Sequence, residues 1–385
     1  MKIAMISSNE HTVPPPENVI IASQYMASLL AQGLAKKGHE VYFIVGQGSK
    51  IPTYKVFSNT KPFFEIFNYK KMKSTIDPYL IGKLIVPFEI DLHLTLLDFL
   101  KENSVDLVHF HTISIYNGLP FSSRIKVPSI FSLHGTVDPL ELEIMKVFNH
   151  PKLFYISLSN NQRQGYPGIN FASTVYNGIP LDDYSYQNVG GNNMVFAGRL
   201  VKEKGVDEAI LVAAKLKREL RITGEIRVRQ RDYYEQIIQL IKNNSRYVRL
   251  FGFTNHALIN SFFGSGKLFL CPTKWEEPFG LVLIEAMACG TPVIAYARGA
   301  IPEIVKDGET GFIVNSSDQD IRGNWIVKKT GFDGLCEAVE KIYAMPENQY
   351  RQMRKNCRAH VEKNFTVEIM VDQYEEVYKK ILEKS

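Results

Sequence analysis

The chain has 385 residues, with 45 Lys and Arg against 40 Asp and Glu for a formal charge of +5. That length accommodates two domains of ordinary size, each with its own core, and so small a basic excess does not call for a nucleic-acid partner. Four well-separated cysteines without a CxxC pair fit reduced thiols in a cytoplasmic protein, and no apolar run is long enough to span a bilayer.

The run KIAMI (residues 2–6) reads as an opening strand with no signal peptide before it, followed by a loop carrying three prolines at 14–16. A long amphipathic helix then runs to the GLAKKG segment at 33–38, and HEVYFIV (39–45) is the second strand. Strand, helix, strand is the expected opening of a doubly wound parallel sheet. Residues 50–73 hold six lysines against Glu65, interleaved with Phe57, Phe63, Phe64, Phe67 and Tyr69. Such a run suits either a membrane-surface or lipid-acceptor contact or the solvated face of an excursion from the domain.

Two further strands, DLVHFH (106–111) and VPSIFSLHG (127–135), each end in histidine. His109 and His111 share a strand face, which invites a metal reading, but no third ligand stands at a recognisable spacing. His134 closes the second of these strands. The segment VYNGIP (175–180), with the polar stretch 188–193 beyond it, marks the boundary of the first half.

In the second half, NMVFA (193–197) is a strand pattern, Gly198-Arg-Leu is its exit, and the polar turn KEKG (202–205) precedes an amphipathic helix. Arg199 and Lys204 therefore flank a strand-to-helix loop. In an open α/β sheet such loops gather at the carboxyl edge of the strands, where ligands bind, although loop cations are also commonly just solvated. Arg227, Arg229 and Arg231 follow a further strand exit and are open to either phosphate or solvent. The GSGK run at 264–267 lacks Walker A spacing, and no GxGxxG follows the first strand, which argues against an NTPase and a dinucleotide oxidoreductase.

The most informative stretch is 275–297, WEEPFGLVLIEAMACGTPVIAYA. An apolar strand ends at Pro272, Glu277 stands in the loop, and Pro278 and Gly280 punctuate a turn into a helix that is apolar all round. The helix should start near Phe279 or Gly280, where unpaired backbone N–H groups and a partial positive charge can bind a phosphate or a sugar hydroxyl. Glu285, inside that greasy helix, would cost several kcal/mol as an unpaired buried charge and must accept hydrogen bonds. Ribose hydroxyls are one source; a nearby Arg or Lys, with Glu277 left solvated, is the other.

EEPFGLVLIEAMACGTPVIA followed by RGAIPEIVKDGETGFIV resembles the hallmark block of the retaining family 4 glycosyltransferases, with the Glu-x7-Glu motif at Glu277 and Glu285. GRLVKEKG is similar to that family's GR…EKG element, and KKGHEVYFIV to its second strand. The resemblance covers nearly the whole chain, tightly after Asn193 and loosely between residues 50 and 100. It implies a GT-B architecture: two doubly wound, Rossmann-like parallel-sheet domains facing across a cleft. The expected division is an acceptor-side domain at 1–180, a nucleotide-sugar domain at 181–365, and a helix at 366–385 crossing back to the first domain.

The implied activity is transfer of a hexosyl group, with retention and without a metal or other cofactor, from a nucleoside diphosphate sugar to a small-molecule, glycan or lipid-linked hydroxyl acceptor. Arg199 and Lys204 would grip the diphosphate beside Gly198. Glu277 would bond the donor sugar, assisted by the backbone at Phe279, Gly280, Leu281 and Val282, and Glu285 would hold the ribose. His134 matches the family histidine beside the donor sugar. In overall pattern the chain looks closest to the branch that includes pterin glucosyltransferases. It departs from the family where Ile21 and Ala22 stand for a Gly-Gly pair, since neither copies a glycine at φ > 0 without strain, and, more mildly, where Gly299-Ala300 replaces Gly-Gly. The first departure keeps a non-catalytic sugar-nucleotide binder in view. A nucleotide-sugar epimerase shares the architecture but not the Glu-x7-Glu and GRLVKEKG elements.

Overall fold

The computed structural model describes residues 1–17, 19–67, 72, 76–112, 115–224, 231–252 and 256–384. They fall into two compact units, Met1–Gly178 with Val367–Ser385, and Ile179–Thr366.

The first unit is built on β1 (Lys2–Ile6), β2 (Glu40–Val45), β3 (Tyr54–Phe57), β4 (Leu107–Phe110), β5 (Ser129–Ser132), β6 (Leu153–Ser157) and β7 (Phe171–Thr174). All neighbours pair in parallel, in the order β3-β2-β1-β4-β5-β6-β7. The inner strands β4 and β5 are buried on both faces because helices cover both faces of a parallel sheet. Phe110 of β4 and Phe131 of β5 stack with ring centroids 4.2 Å apart, against Leu92 and Leu96 of the helix Pro78–Glu102. That helix begins where Asp77 accepts the Tyr79 N–H at 2.6 Å and a proline occupies the first turn.

The second unit repeats the plan with β8 (Asn193–Ala197), β9 (Leu220–Thr223), β10 (Val248–Leu250), β11 (Gly266–Cys271), β12 (Val293–Tyr296) and β13 (Gly311–Val314). Their order is β10-β9-β8-β11-β12-β13, again parallel throughout. In both sheets the strand order reverses beside the first strand, between β1 and β4 and between β8 and β11. Loops leaving two such strands diverge to opposite faces and open a crevice at the carboxyl edge. Where the second unit begins and ends, Ile179 bridges Thr366 in parallel, and the Ile179 N–H donates to the Phe365 carbonyl at 2.9 Å.

Arg354, on the helix Glu347–Asn364, is fully buried in this unit. Its guanidinium donates to the carbonyls of Gln187 (2.8 Å), Gly266 (3.0 Å), Gly264 (3.3 Å) and Cys289 (3.3 Å), and to the Tyr350 hydroxyl (3.0 Å). Gly264 and Cys289 end the helices His256–Gly264 and Leu281–Ala288, so one cation satisfies carbonyls at two helix C-termini. All four cysteines are buried, and burial pushes the Cys271 and Cys289 thiols up to about 12. Among the described residues no helix is long and apolar enough to cross a membrane.

In the first unit the loop after β1 is braced from inside by two buried polar side chains. Glu89 accepts from the Ser8 hydroxyl (2.9 Å) and the Asn9 N–H (2.7 Å), while the Gln24 amide donates to the carbonyls of Ser8 (2.7 Å) and His11 (3.1 Å). Ile21 is extended at φ −128°, and Ala22 opens the helix Ala22–Lys36. Neither position takes the left-handed backbone that favours glycine, so Ile21 and Ala22 do not copy the glycine conformation and the loop is built differently there.

Arg354→Leu would leave several buried carbonyls without a donor, at about 1–3 kcal/mol each. We expect a loss of at least ~3 kcal/mol in urea denaturation, against a change within about 0.5 kcal/mol for the exposed Arg351→Ala. Burial pushes the Glu89 carboxyl up to about 7, against the opposing Asn9 and Ser8 hydrogen bonds. A folded-state pKa above the unfolded one means that this stabilisation is complete below about pH 4.5 and is lost as pH rises through 7, on the order of 3 kcal/mol in all. Stability curves of Glu89→Gln should lack that decline.

Candidate functional site

The carboxyl-edge loops of the second unit bring the two sequence motifs together. The loop after β8 runs through Gly198 and Arg199 to a short 3-10 turn, Lys202–Lys204, and the loop after β11 carries residues 272–280. They are joined at Glu203, whose carbonyl accepts the Lys274 N–H (2.8 Å) and the Thr273 hydroxyl (3.1 Å). Next to this junction Gly205 takes φ 69°, and a Cβ there would lie 2.1 Å from the Pro272 carbonyl oxygen. Only glycine combines that left-handed conformation with so close an approach.

Across the joined loops the Lys204 ammonium pairs with the Glu277 carboxylate, both side chains being largely buried. Lys204 Nζ also lies 6.0 Å from the centroid of the Trp275 ring. Arg199, on the same loop as Lys204, is exposed. The helix after Glu277 spans Leu281–Ala288, one residue later than the sequence pattern places it, because Gly280 sits outside the helix as its N-cap at φ 97°, ψ 61°. Phe279 is buried, and Leu281 and Val282 form the partly exposed first turn. Glu285 is buried within that helix and accepts the Tyr184 hydroxyl at 3.2 Å. A phenol is thus among the groups that meet its need for hydrogen bonds.

The loop after β12 closes over the same segment. Gly299 takes φ 56°, a Cβ on it would come within 2.3 Å of the Glu277 backbone nitrogen, and the Ala300 N–H donates to the Glu277 carbonyl at 2.8 Å. Ala300 itself is at φ −73° and needs no glycine, which accounts for the milder of the two departures.

Glu276 escapes notice in the sequence beside its neighbour. Its carboxylate accepts from Arg298 (3.1 Å), from Arg322 (2.7 Å) and from the Gly299 N–H (2.7 Å), and both arginines also bind Asp320 at 2.8 Å. Burial alone would push Glu276 up, but the Arg322 guanidinium, the Gly299 amide and Arg298 outweigh it and hold the group below its usual range. Arg322 holds Asp320 down in the same way. No spacing announces this network, since Arg298 and Arg322 lie 22 and 46 residues away.

In the first unit, His134 stands just past β5, where its Nε2 is 2.9 Å from His111 Nδ1. His111 Nε2 is in turn 3.1 Å from His109 Nδ1. Burial lowers His134 to about 4, and pushes His109 and His111 well below the ordinary imidazole range. Among the described residues no group of three or more His, Cys, Asp or Glu side chains is placed to hold a metal ion. Of the lysine-rich run, Tyr69, Lys70, Lys71 and Lys73 lie outside the described residues, as do Arg227 and Arg229 and the side chain of Arg231. Phe63 is buried against Ile81 and Ile85, whereas Phe57 and Phe67 are exposed.

Two family models match the chain: Glycosyltransferase Family 4 over residues 24–182 and Glycosyl transferases group 1 over residues 185–360. The chain is 25% identical to the N-acetyl-alpha-D-glucosaminyl L-malate synthase of Bacillus anthracis, over 92% of each. It is 30% identical to an uncharacterized 41.2 kDa protein of the Klebsiella pneumoniae cps region over 49% of its own length, and spans 46% of that protein. Among solved structures, sucrose-phosphate synthase from Thermosynechococcus elongatus superposes with a TM-score of 0.76 at 19% identity, covering 100% of both chains. An Anabaena protein solved with UDP-glucose gives a TM-score of 0.68 at 17% identity, covering 99% of this chain and 100% of that one. At these identities the structural likeness is one of fold.

The Glu276 network also sets the acid response of this unit. Carboxyls held below their usual range stabilise the fold above about pH 4, and that stabilisation is lost as pH falls through their depressed values. In Arg322→Ala both Glu276 and Asp320 lose the main group holding them down, so the drop in melting temperature between pH 6 and pH 3 should be smaller than in the parent protein.

Proposed function

Because the chain belongs to the family 4 glycosyltransferases and has the GT-B fold, we propose that it moves a sugar from a nucleoside diphosphate donor to a hydroxyl acceptor, with retention and without a metal. The observation that carries this reading is the pairing of Lys204 with Glu277 at the second unit's switch point, beside the first turn of the helix Leu281–Ala288. Cation, acceptor carboxylate and helix N-terminus are the three parts that a sugar diphosphate needs.

Lys204 has three N–H donors, so engaging Glu277 leaves others for diphosphate oxygens. Arg199, exposed on the same loop, adds a second cation, and the first-turn amides at Leu281 and Val282 add donors of fixed direction. Together they stabilise the negative charge that grows as the C1–O bond to the diphosphate breaks, which is the charge a divalent cation would otherwise neutralise. Glu277 can only accept, and so binds sugar hydroxyls; Glu285 likewise accepts from ribose hydroxyls. The acceptor oxygen bonds to C1 on the face the diphosphate leaves, and the departing phosphate oxygen takes the acceptor proton, so that charge and protons balance without a protein nucleophile.

The relative solved with UDP-glucose supports a nucleotide-sugar donor, and such a donor together with buried thiols supports a cytoplasmic setting. The extended Ile21 and helical Ala22 speak against a degenerate first loop, the feature that would favour a non-catalytic binder.

Thermal melts with a panel of UDP-, GDP- and ADP-sugars, with and without magnesium, test the reading, since a ligand that binds only the folded state raises the melting temperature. We expect one donor to give a magnesium-independent shift that Lys204→Ala abolishes. With that donor and an acceptor panel of pterins, oligosaccharides and polyprenyl phosphates, Glu277→Ala should lose about 100-fold in kcat/KM. No shift with any donor, or full activity in Glu277→Ala, would sink the assignment.

A further inference from the structure

At the amino edge of the second sheet the ends of two helices border a concave pocket of about 400 Å³. Its cations are Lys215, Lys217 and Arg218, where the helix Val206–Leu216 turns into β9, and its other wall is the end of the helix Gly331–Ala344. Leu216 and Val339 add apolar lining, and Glu340 adds a carboxylate. Lys204 and Gly205 precede the same first helix at its opposite end, about 16 Å away across 11 residues, so the pocket is separate from the donor loops.

Three observations point to an anion. Among the described residues none of the three cations forms an ion pair, and the adjacent Glu219 is engaged by Arg221 at 2.8 Å. Arg218 stacks over Tyr343, with Cζ 4.2 Å from the ring centroid, and the Tyr343 hydroxyl donates to the Asn192 carbonyl at 2.8 Å. Stacking fixes the guanidinium by its face and leaves its N–H edge for an oxyanion. Lys217 takes φ 53°, ψ 43°, and among the described residues no other non-glycine has a positive φ. It occupies the glycine position of a Schellman turn, in which the Lys217 N–H donates to the Ala214 carbonyl (3.3 Å) and the Arg218 N–H to the Ala213 carbonyl (3.0 Å). The partial negative charge of a helix end accounts for Lys215 in the last turn. It does not call for a lysine in a left-handed backbone one step further on, where glycine would be free of strain; such strain persists where it serves a function.

We propose that this pocket is a second ligand site, which binds a sugar phosphate, free or as part of a nucleoside monophosphate. Lys217 and Arg218 take the phosphate oxygens, and Glu340, which can only accept, takes a sugar hydroxyl. Three cations against one carboxylate leave a local charge of +2, the complement of a phosphate monoester dianion. A pocket of this size suits a small ligand of that kind.

Calorimetric titration of the full chain with ribose 5-phosphate, AMP, inorganic phosphate and ribose tests this. Ribose 5-phosphate should bind saturably, inorganic phosphate more weakly and ribose not at all; AMP binding tighter than ribose 5-phosphate assigns the pocket to nucleoside phosphates, and weaker binding to the free sugar ester. Arg218→Ala should raise Kd about tenfold. Lys217→Gly should do the same while raising the melting temperature of the ligand-free chain by about 2–4 °C, so that the loss of binding is not a loss of folding. Lys204→Ala, in the donor loops, should leave this binding unchanged. Binding that disappears in Lys204→Ala, or survives in both pocket variants, would put the ligand elsewhere and overturn the proposal. So would the absence of saturable binding by either ester, or inorganic phosphate binding as tightly as the esters. A lower melting temperature for Lys217→Gly would mean that the lysine stabilises the fold, and would overturn it too. None of these results bears on the donor reading, which the thermal shifts with nucleotide sugars decide.

Discussion

Gly205 meets the Pro272 carbonyl where a side-chain carbon would lie 2.1 Å from the oxygen, and the geometry of the second unit's loop cluster depends on that contact. It lets two loops from neighbouring strands run close enough for one carbonyl, that of Glu203, to take a hydrogen bond from each of two successive residues of the other loop. Lys204 is the residue between the shared carbonyl and the glycine, so its ammonium is delivered to Glu277 by backbone that has little freedom to move. A bulkier residue at 205 would have to push the loops apart, and a cation on a separated loop would be one more solvated lysine.

The consecutive glutamates of this cluster show how context divides one residue type into two kinds of group. Glu276 is saturated by two guanidiniums and an amide, the fork-and-carboxylate geometry that suits arginine. Its work is to hold the loop after β12, and with it Gly299, against the backbone of its neighbour. Glu277, facing the other way, is met by a lysine, a point charge on a flexible stem that can share its donors with an incoming anion. Rigidity on one side and adaptable charge on the other are what a loop needs when it must both keep its shape and receive a ligand.

Much of this was legible in the sequence because it is local. Strand runs, glycine punctuation and the polar loops between them follow from patterns a few residues long, and they were enough to put Arg199, Lys204, Glu277 and Glu285 on one edge of one sheet. What escaped depends on side chains far apart in the chain. The Tyr184 hydroxyl reaches Glu285 across 101 residues, Arg354 reaches Gln187 across 167, and Tyr378 reaches His109 across 269. At Ile21 and Ala22 the missing glycine pair said that the loop would be built differently, but not how. The backbone there is extended and then helical, and the loop before it is held by Glu89 and Gln24, whose part no nearby residue advertises.

The order in which the parts are made gives the helix Val367–Leu382 a particular importance. It belongs to the first unit, yet its residues are synthesised after the whole of the second unit, whose beginning and end are already bridged through Ile179 and Thr366. Domains fold as units while the chain emerges, so the second sheet can close before the first has all its parts. Until Tyr374 and Tyr378 arrive, the polar row of His109, His111 and Ser132 lacks the hydroxyls that complete it and bonds to water instead, while the apolar surface around it stays uncovered. A nascent or truncated chain that stops before residue 374 therefore carries a finished second unit and a first unit with an open seam, the kind of half-built surface that chaperones and proteases act upon.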